Sequence, residues 1–210
     1  MSVSPSERPT VKSRKRETIA LMVPRNSGLR ASQGAFRRLC VANPHLRSER
    51  TAKGEAIVMT PAGSDSGMRN AGLTAQLWNW NRESRLGVVL DSSDGFTLPN
   101  GAVKAADASW IALGRWSAVP TKARRKFAPV CPDFLVEIIS PSDDLEFTRA
   151  KMREYLAQGV RLGWLLDPKS GLAEVYRPGR AVETLDRPAA LSDEDVLPGF
   201  VLDLEGILFD

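Results

Sequence analysis

Apolar residues along the chain fall into short runs separated by turn chemistry, and the spacing inside each run predicts its element. Phe36, Leu39 and Cys40 recur at helical intervals after Ser32, and Asn43-Pro44 ends that segment, because the residue before a proline is pushed out of the helical region. Residues 56–59, Ala-Ile-Val-Met, follow a turn at Gly54 and predict a strand. The Gly-, Ser- and Pro-rich residues 60–68 predict a loop. Across 70–80, Leu73, Leu77 and Trp78, with Trp80 nearby, suit a helix packed on a core. Short apolar runs at 87–90 and 96–98, with turns at 92–95 and 99–101, read as hairpin punctuation. A single strand is expected over 103–111, then a charged linker over 115–127.

The second half is more regular. Residues 134–139 form a continuous, partly β-branched run bounded by Pro132 and Pro141, the pattern of a central strand buried on both faces. A helix over 143–158 follows, with acids in its first turn and Gly159 at its stop. Strands at 164–166 and 173–176 flank a turn at 167–171, and 201–209 closes the chain. Strands flank helices without long βαβ repeats, so the expected fold class is α/β (α+β), a mixed β-sheet core flanked by helices. One domain is expected over 31–210, after a flexible basic tail over 1–30 that lacks apolar periodicity.

Charge changes this picture mainly at the N-terminus. The formal net charge of +4 divides into +8 for residues 1–50 and −4 for 51–210. Arg8, Lys12, Arg14, Lys15 and Arg16 could contact phosphates without sequence preference, although a solvated tail is the plainer reading. The same Arg- and Ser-rich stretch faintly resembles a transit peptide, and Met22 offers an alternative start of synthesis. No run approaches the roughly 18 apolar residues of a membrane span, so no membrane partner is expected. With one histidine and two cysteines, Cys40 and Cys131, the chain cannot build His triads or Cys₄ zinc sites, and any metal must sit on carboxylates. Two thiols suit a cytoplasmic location, with a single Cys40–Cys131 bridge left open.

The candidate chemistry centres on one acid. Glu137 lies inside an otherwise apolar strand, where an ionised carboxylate costs several kcal/mol unless something offsets its charge. Alternation places Asp133, Leu135, Glu137 and Ile139 on one face, and Phe134, Val136 and Ile138 on the other. A second acid, Asp107, lies within the small-residue strand 105–110. If the two strands are neighbours, Asp107 and Glu137 come within about 5 Å. Two such carboxylates repel, and a hard divalent cation, Mg²⁺ or Mn²⁺, is their natural neutraliser. Lys151 and Tyr155 share a side of the next helix at i,i+4, and Lys151 could reach the site. A plain buried Glu137–Lys151 ion pair satisfies the same sequence. Glu49 and Glu55 read as flanks of a surface turn, Asp133 as a strand start, and Tyr155 as core.

The segments Ala106-Asp107-Ala108-Ser109-Trp110, Cys131-Pro132-Asp133-Phe134-Leu135-Val136-Glu137-Ile138-Ile139-Ser140-Pro141-Ser142-Asp143, Lys151-Met152-Arg153-Glu154-Tyr155 and Gly163-Trp164-Leu165-Leu166-Asp167-Pro168 resemble the Uma-type family of restriction-endonuclease-like proteins, within the PD-(D/E)XK nuclease superfamily. The resemblance covers about residues 29–209. It implies a mixed sheet flanked by helices and metal-dependent hydrolysis of DNA phosphodiester bonds. Asp107 matches the first acid, Glu137 the acid of the E-x-K element, and Lys151 a lysine moved from the strand to the following helix. The chain departs from the pattern at Ala106, where a proline is expected, at Ile139, where the strand lysine would stand, and at Met68-Arg69, where many relatives carry a histidine.

The function expected from this is a Mg²⁺-dependent DNA endonuclease. Asp107, Glu137 and the Ile138 carbonyl would bind metal, Lys151 would orient and activate the attacking water, and Glu55 would be an acid standing behind them. Arg149, Arg153, Lys122, Arg124 and Arg125 are candidate nucleic-acid contacts, and symmetric duplex cutting would favour a homodimer. The rival is a catalytically inactive protein of the same fold that binds or assembles on nucleic acid, with a salt bridge in place of the metal. A Ser/His hydrolase is excluded, since His45 follows Pro44 in a turn and no G-x-S-x-G elbow is present.

Overall fold

The computed structural model describes residues 29–59, 63–192 and 195–209. The chain runs α1 (Gln33–Ala42), β1 (Arg47–Arg50), β2 (Ala56–Met59), α2 (Ser64–Ser84), β3 (Gly87–Asp91), β4 (Phe96–Thr97), β5 (Val103–Lys104), β6 (Ala108–Ala112), α3 (Leu113–Ala118), α4 (Thr121–Arg124), β7 (Phe134–Ile138), α5 (Leu145–Ala157), β8 (Leu162–Asp167), β9 (Leu172–Tyr176), β10 (Glu183–Asp186), β11 (Ala190–Ser192) and β12 (Val201–Asp203). Six strands form the main sheet in the order β10-β9-β8-β7-β6-β3; β7 and β8 are parallel and the other pairs antiparallel. A four-stranded antiparallel sheet, β2-β1-β5-β4, forms a second layer. This is the mixed, helix-flanked sheet expected from the pattern.

Period-two alternation in β7 decides what lies on each face. Phe134, Val136 and Ile138 join Leu73 and Leu77 of α2, Trp164, and the C-terminal Phe200, Leu202 and Leu204 in one core. Leu135 faces the other way, into a core built with Met152 and Tyr155 of α5 and Phe96 of β4. Glu137 therefore projects toward α5 and the small sheet. The parallel β7-α5-β8 crossover brings α5 over that face, and its start is fixed by Asp144, whose carboxylate accepts the N–H groups of Glu146 and Phe147.

Several local expectations are corrected. The span 103–111 is two strands, and Asp107 lies in the break just before β6. At the break the Asp107 carboxylate accepts the Ile138 N–H at 2.8 Å, while its own N–H donates to the Val136 carbonyl at 3.1 Å. Helix α2 starts at Ser64, inside the expected loop, because its first turns are polar and carry no apolar period; residues 60–62 lie outside the described ones. Strands β3 and β4 do not pair with each other: β3 joins β6, and β4 turns back through 98–102 onto β5. The charged linker contains α3 and α4. Cys40 and Cys131 are both free thiols. Of the expected tail, residues 1–28 lie outside the described residues, whereas Leu29 and Arg30 are held in place, the Leu29 carbonyl accepting from Ala56 N–H at 2.8 Å. Among the described residues no helix is long and apolar enough to cross a membrane.

Candidate active site

The main sheet brings Asp107 and Glu137 together. Ala108 pairs with Val136 between β6 and β7, which puts Asp107 and Glu137 one rung further along. Asp107 is half-buried and Glu137 is buried, 7% exposed. Asp107 Oδ2 takes the Ile138 N–H, and its Oδ1 takes Asn70 Nδ2 at 3.0 Å. Helix α2 thus contributes to the site through Asn70, close to the Met68-Arg69 pair noted in the sequence. Met68 itself is exposed, and Arg69 donates to the Ile207 carbonyl at 2.6 Å.

Lys151, one helical turn before Tyr155 on α5, is the hub. Its Nζ lies 2.8 Å from Glu137 Oε1, 2.8 Å from Glu49 Oε1 and 2.9 Å from the Ala105 carbonyl. An ammonium has three N–H donors, and all three are used. The Tyr155 hydroxyl lies 3.0 Å from Glu137 Oε1 and 3.2 Å from the Ala105 carbonyl, and with one proton it can donate to only one of them at a time.

Glu49 corrects the surface-turn reading. It is buried, 2% exposed, and pairs with Lys151 through Oε1 and with Lys104 at 3.3 Å through Oε2. Strand β1, Arg-Ser-Glu-Arg, has no apolar residue to announce burial, so the signal is absent from its local pattern. Its burial comes from tertiary position, with β2 on one side and β5 on the other. Glu55, by contrast, is on the surface, 3.5 Å from Arg30.

Electrostatics separates these groups. Burial pushes the Glu137 carboxyl up to about 7; Lys151 opposes the shift, while Asp107 and Glu49 add to it. Burial also raises Asp107, against the Ile138 N–H and the Lys151 charge. Burial works against the charged form of Glu49 too, yet Lys151 and Lys104 together hold it below the usual carboxylate range. For Lys151 burial is outweighed by Glu137 and Glu49, so its proton is held more tightly than in water. At neutral pH Lys151 can therefore donate or orient, and it is a poor proton acceptor.

Asp107 and Glu137 are the carboxylates a divalent cation would use, and among the described residues no group of three or more His, Cys, Asp or Glu side chains is placed to hold a metal ion. Asp107 and Glu137 offer carboxylate oxygens, both are under-stabilised as anions, and the buried Asn70 Oδ1 beside them has no hydrogen-bond partner among the described residues. The nucleic-acid candidates behave differently from one another. Arg149 is committed to Glu174 and Glu146, which raise its pKa further. Arg124 lies over the Trp116 ring and donates to two carbonyls. Lys122, Arg125 and Arg153 are exposed. Lys122 lines, with Lys126 and Phe127, an open groove of about 390 Å³.

The mixed six-stranded sheet flanked by helices is of the restriction-endonuclease-like class of fold. A crystal structure from Anabaena variabilis ATCC 29413, described as a putative nuclease belonging to DUF820, shares it, with a TM-score of 0.65 and 20% identity over 77% of this chain and 89% of that one. The model of the Uma2 family, described as "Putative restriction endonuclease", matches residues 34–205, and the chain belongs to that family. The search of curated proteins found no match.

Proposed function

We propose that the protein is a Mg²⁺- or Mn²⁺-dependent endonuclease that hydrolyses DNA phosphodiester bonds. The observation that carries this reading is the pairing of half-buried Asp107, just before β6, opposite buried Glu137 of β7, with the Lys151 ammonium 2.8 Å from Glu137. Asp107, Glu137 and the Ile138 carbonyl would hold the ion, which when bound polarises the scissile phosphate and lowers the pKa of a coordinated water. Asn70 and the Ile138 N–H keep the Asp107 carboxylate oriented. Lys151, protonated throughout, orients the attacking water by donation and offsets charge gathering on the phosphate. Exposed Lys122, Arg125 and Arg153 supply backbone contacts, and a homodimer would give symmetric cutting of a duplex.

Purified protein with supercoiled plasmid and Mn²⁺ should produce nicked circles, and Glu137→Ala should not. Equal nicking by both would overturn the assignment. One observation favours a second reading: Lys151 already has three acceptors, an arrangement that a purely structural ion pair would also satisfy. On that reading the protein is an inactive member of the fold acting in nucleic-acid binding or assembly, and neither plasmid nicking nor Mn²⁺ binding should be observed.

A further inference from the structure

Lys151 is held from three sides, and its three acceptors are not equivalent. Glu137 belongs to the proposed metal-binding pair and lies 2.8 Å from Lys151, so it is the carboxylate partner that metal binding would draw away. The Ala105 carbonyl is neutral. Glu49 is the remaining acceptor, fully charged and anchored in its own right. Its Oε1 also takes the Ala105 N–H at 3.3 Å, and its Oε2 is 3.3 Å from Lys104. Lys104, 3% exposed, is in turn 3.4 Å from Glu154 Oε2 on α5, and Glu154 Oε1 takes Asn100 Nδ2 at 2.8 Å. The result is a chain of alternating charges, Lys151-Glu49-Lys104-Glu154, that begins at the site, crosses the small sheet and returns to α5 one turn beyond Lys151.

We infer that Glu49 is a positioning residue, the fixed anchor that holds the Lys151 ammonium over the Asp107–Glu137 pair when Glu137 exchanges partners. The inference rests on the nuclease reading for its catalytic meaning, but its structural content is independent of that reading. With Glu49 and the Ala105 carbonyl retained, an ammonium released by Glu137 keeps two of its three bonds. Its third N–H is then free to point at a reacting oxygen. Without Glu49 it keeps a single neutral acceptor, and its long, flexible side chain regains rotamers. A surface acid could not do this, because water would compete for the ammonium. Glu49 can because it and Lys104 are buried together.

Two measurements test this. In metal-free protein with ¹⁵N-labelled lysine, the Lys151 ammonium should give a slowly exchanging NMR signal. Glu49→Gln should abolish that signal and Glu49→Asp should restore part of it. In plasmid nicking with Mn²⁺, Glu49→Gln should lower kcat by about 10- to 100-fold, the range typical of groups that orient a metal-site residue, with KM for plasmid unchanged. In a Lys151→Met background, Glu49→Gln should cost no further kcat. An ammonium signal identical in wild type and Glu49→Gln would overturn the inference, as would an equal loss of kcat with and without Lys151. If wild-type protein neither nicks plasmid nor binds Mn²⁺, the nuclease reading falls, and the NMR comparison alone decides the anchoring role. If Glu49→Gln fails to fold, Glu49→Asp takes its place: a displaced or faster-exchanging signal supports the anchor and an unchanged one overturns it.

Discussion

One buried acid, Asp133, stands just before strand β7 and another, Glu137, near its far end, and the two live differently. Asp133, 1% exposed, stands beside two cations that pair with no other acid among the described residues, Arg115 at 2.8 Å and Arg161 at 3.7 Å, with the Ala112 N–H donating to its Oδ2 at 2.9 Å. Glu137, 7% exposed, shares its single lysine with Glu49 and faces Asp107. The residue types are nearly the same, as are the face and the degree of burial. What differs is the ratio of cations to acids. An acid with cations of its own is a lock, while an acid that shares one with two others is left wanting positive charge, which is the condition a divalent ion relieves.

The contrast can be broken in order of size. Glu137→Ala should cut plasmid nicking by about 10²- to 10³-fold, the scale of losing one electrostatic stabiliser of a transition state, with folding retained by circular dichroism. Asp133→Ala should do the opposite. It should lower stability by about 1.5–3 kcal/mol in urea denaturation, the worth of hydrogen bonds to a charged group, and leave nicking per folded molecule unchanged. Activity loss at Asp133 equal to that at Glu137 would erase the distinction.

A pH prediction follows from Glu137 alone. Its carboxyl sits at about 7, above its ordinary 4.5, so the metal-free folded state holds a proton that the unfolded chain has released. Its contribution to metal-free stability is therefore fully present below pH 4.5 and is lost as pH rises through about 7. Metal binding has the reverse dependence, because the ligand must be ionised. Mn²⁺ affinity by calorimetry should rise several-fold, up to about tenfold, between pH 6 and pH 7 and level off above. The smallest effect belongs to the surface. Lys122→Ala and Arg125→Ala should each reduce the log-log salt slope of DNA binding by about 0.9 for every phosphate that the side chain neutralises, and should change stability by less than about 0.5 kcal/mol.

Much of the fold was legible because burial and periodicity agree there. The 134–139 run appears as β7, the 143–158 helix as α5 with Asp144 at its cap, and the 32–43 segment as α1 with Ser32 at its cap. The adjacency of Asp107 and Glu137 followed from treating a lone acid in an apolar strand as something needing a partner. Other features left no local mark. Strands β10 and β11 are short and mostly exposed, so they carry no apolar alternation. Glu49 hides in a wholly polar strand whose burial depends on neighbours distant in sequence. Asn70, at the start of the helix expected over 70–80, meets Asp107 through the packing of α2 on the sheet, a contact between residues 37 apart in sequence. In each case tertiary context, not local pattern, determines the outcome.

The central claim is that Asp107 and Glu137 form a divalent-cation site. Calorimetric titration of Mn²⁺ into metal-free wild type and Glu137→Gln at pH 7.5 tests it most directly. The prediction is one saturable site in the wild type, lost or weakened about 10- to 100-fold in the variant. Indistinguishable binding curves for the two proteins would contradict it.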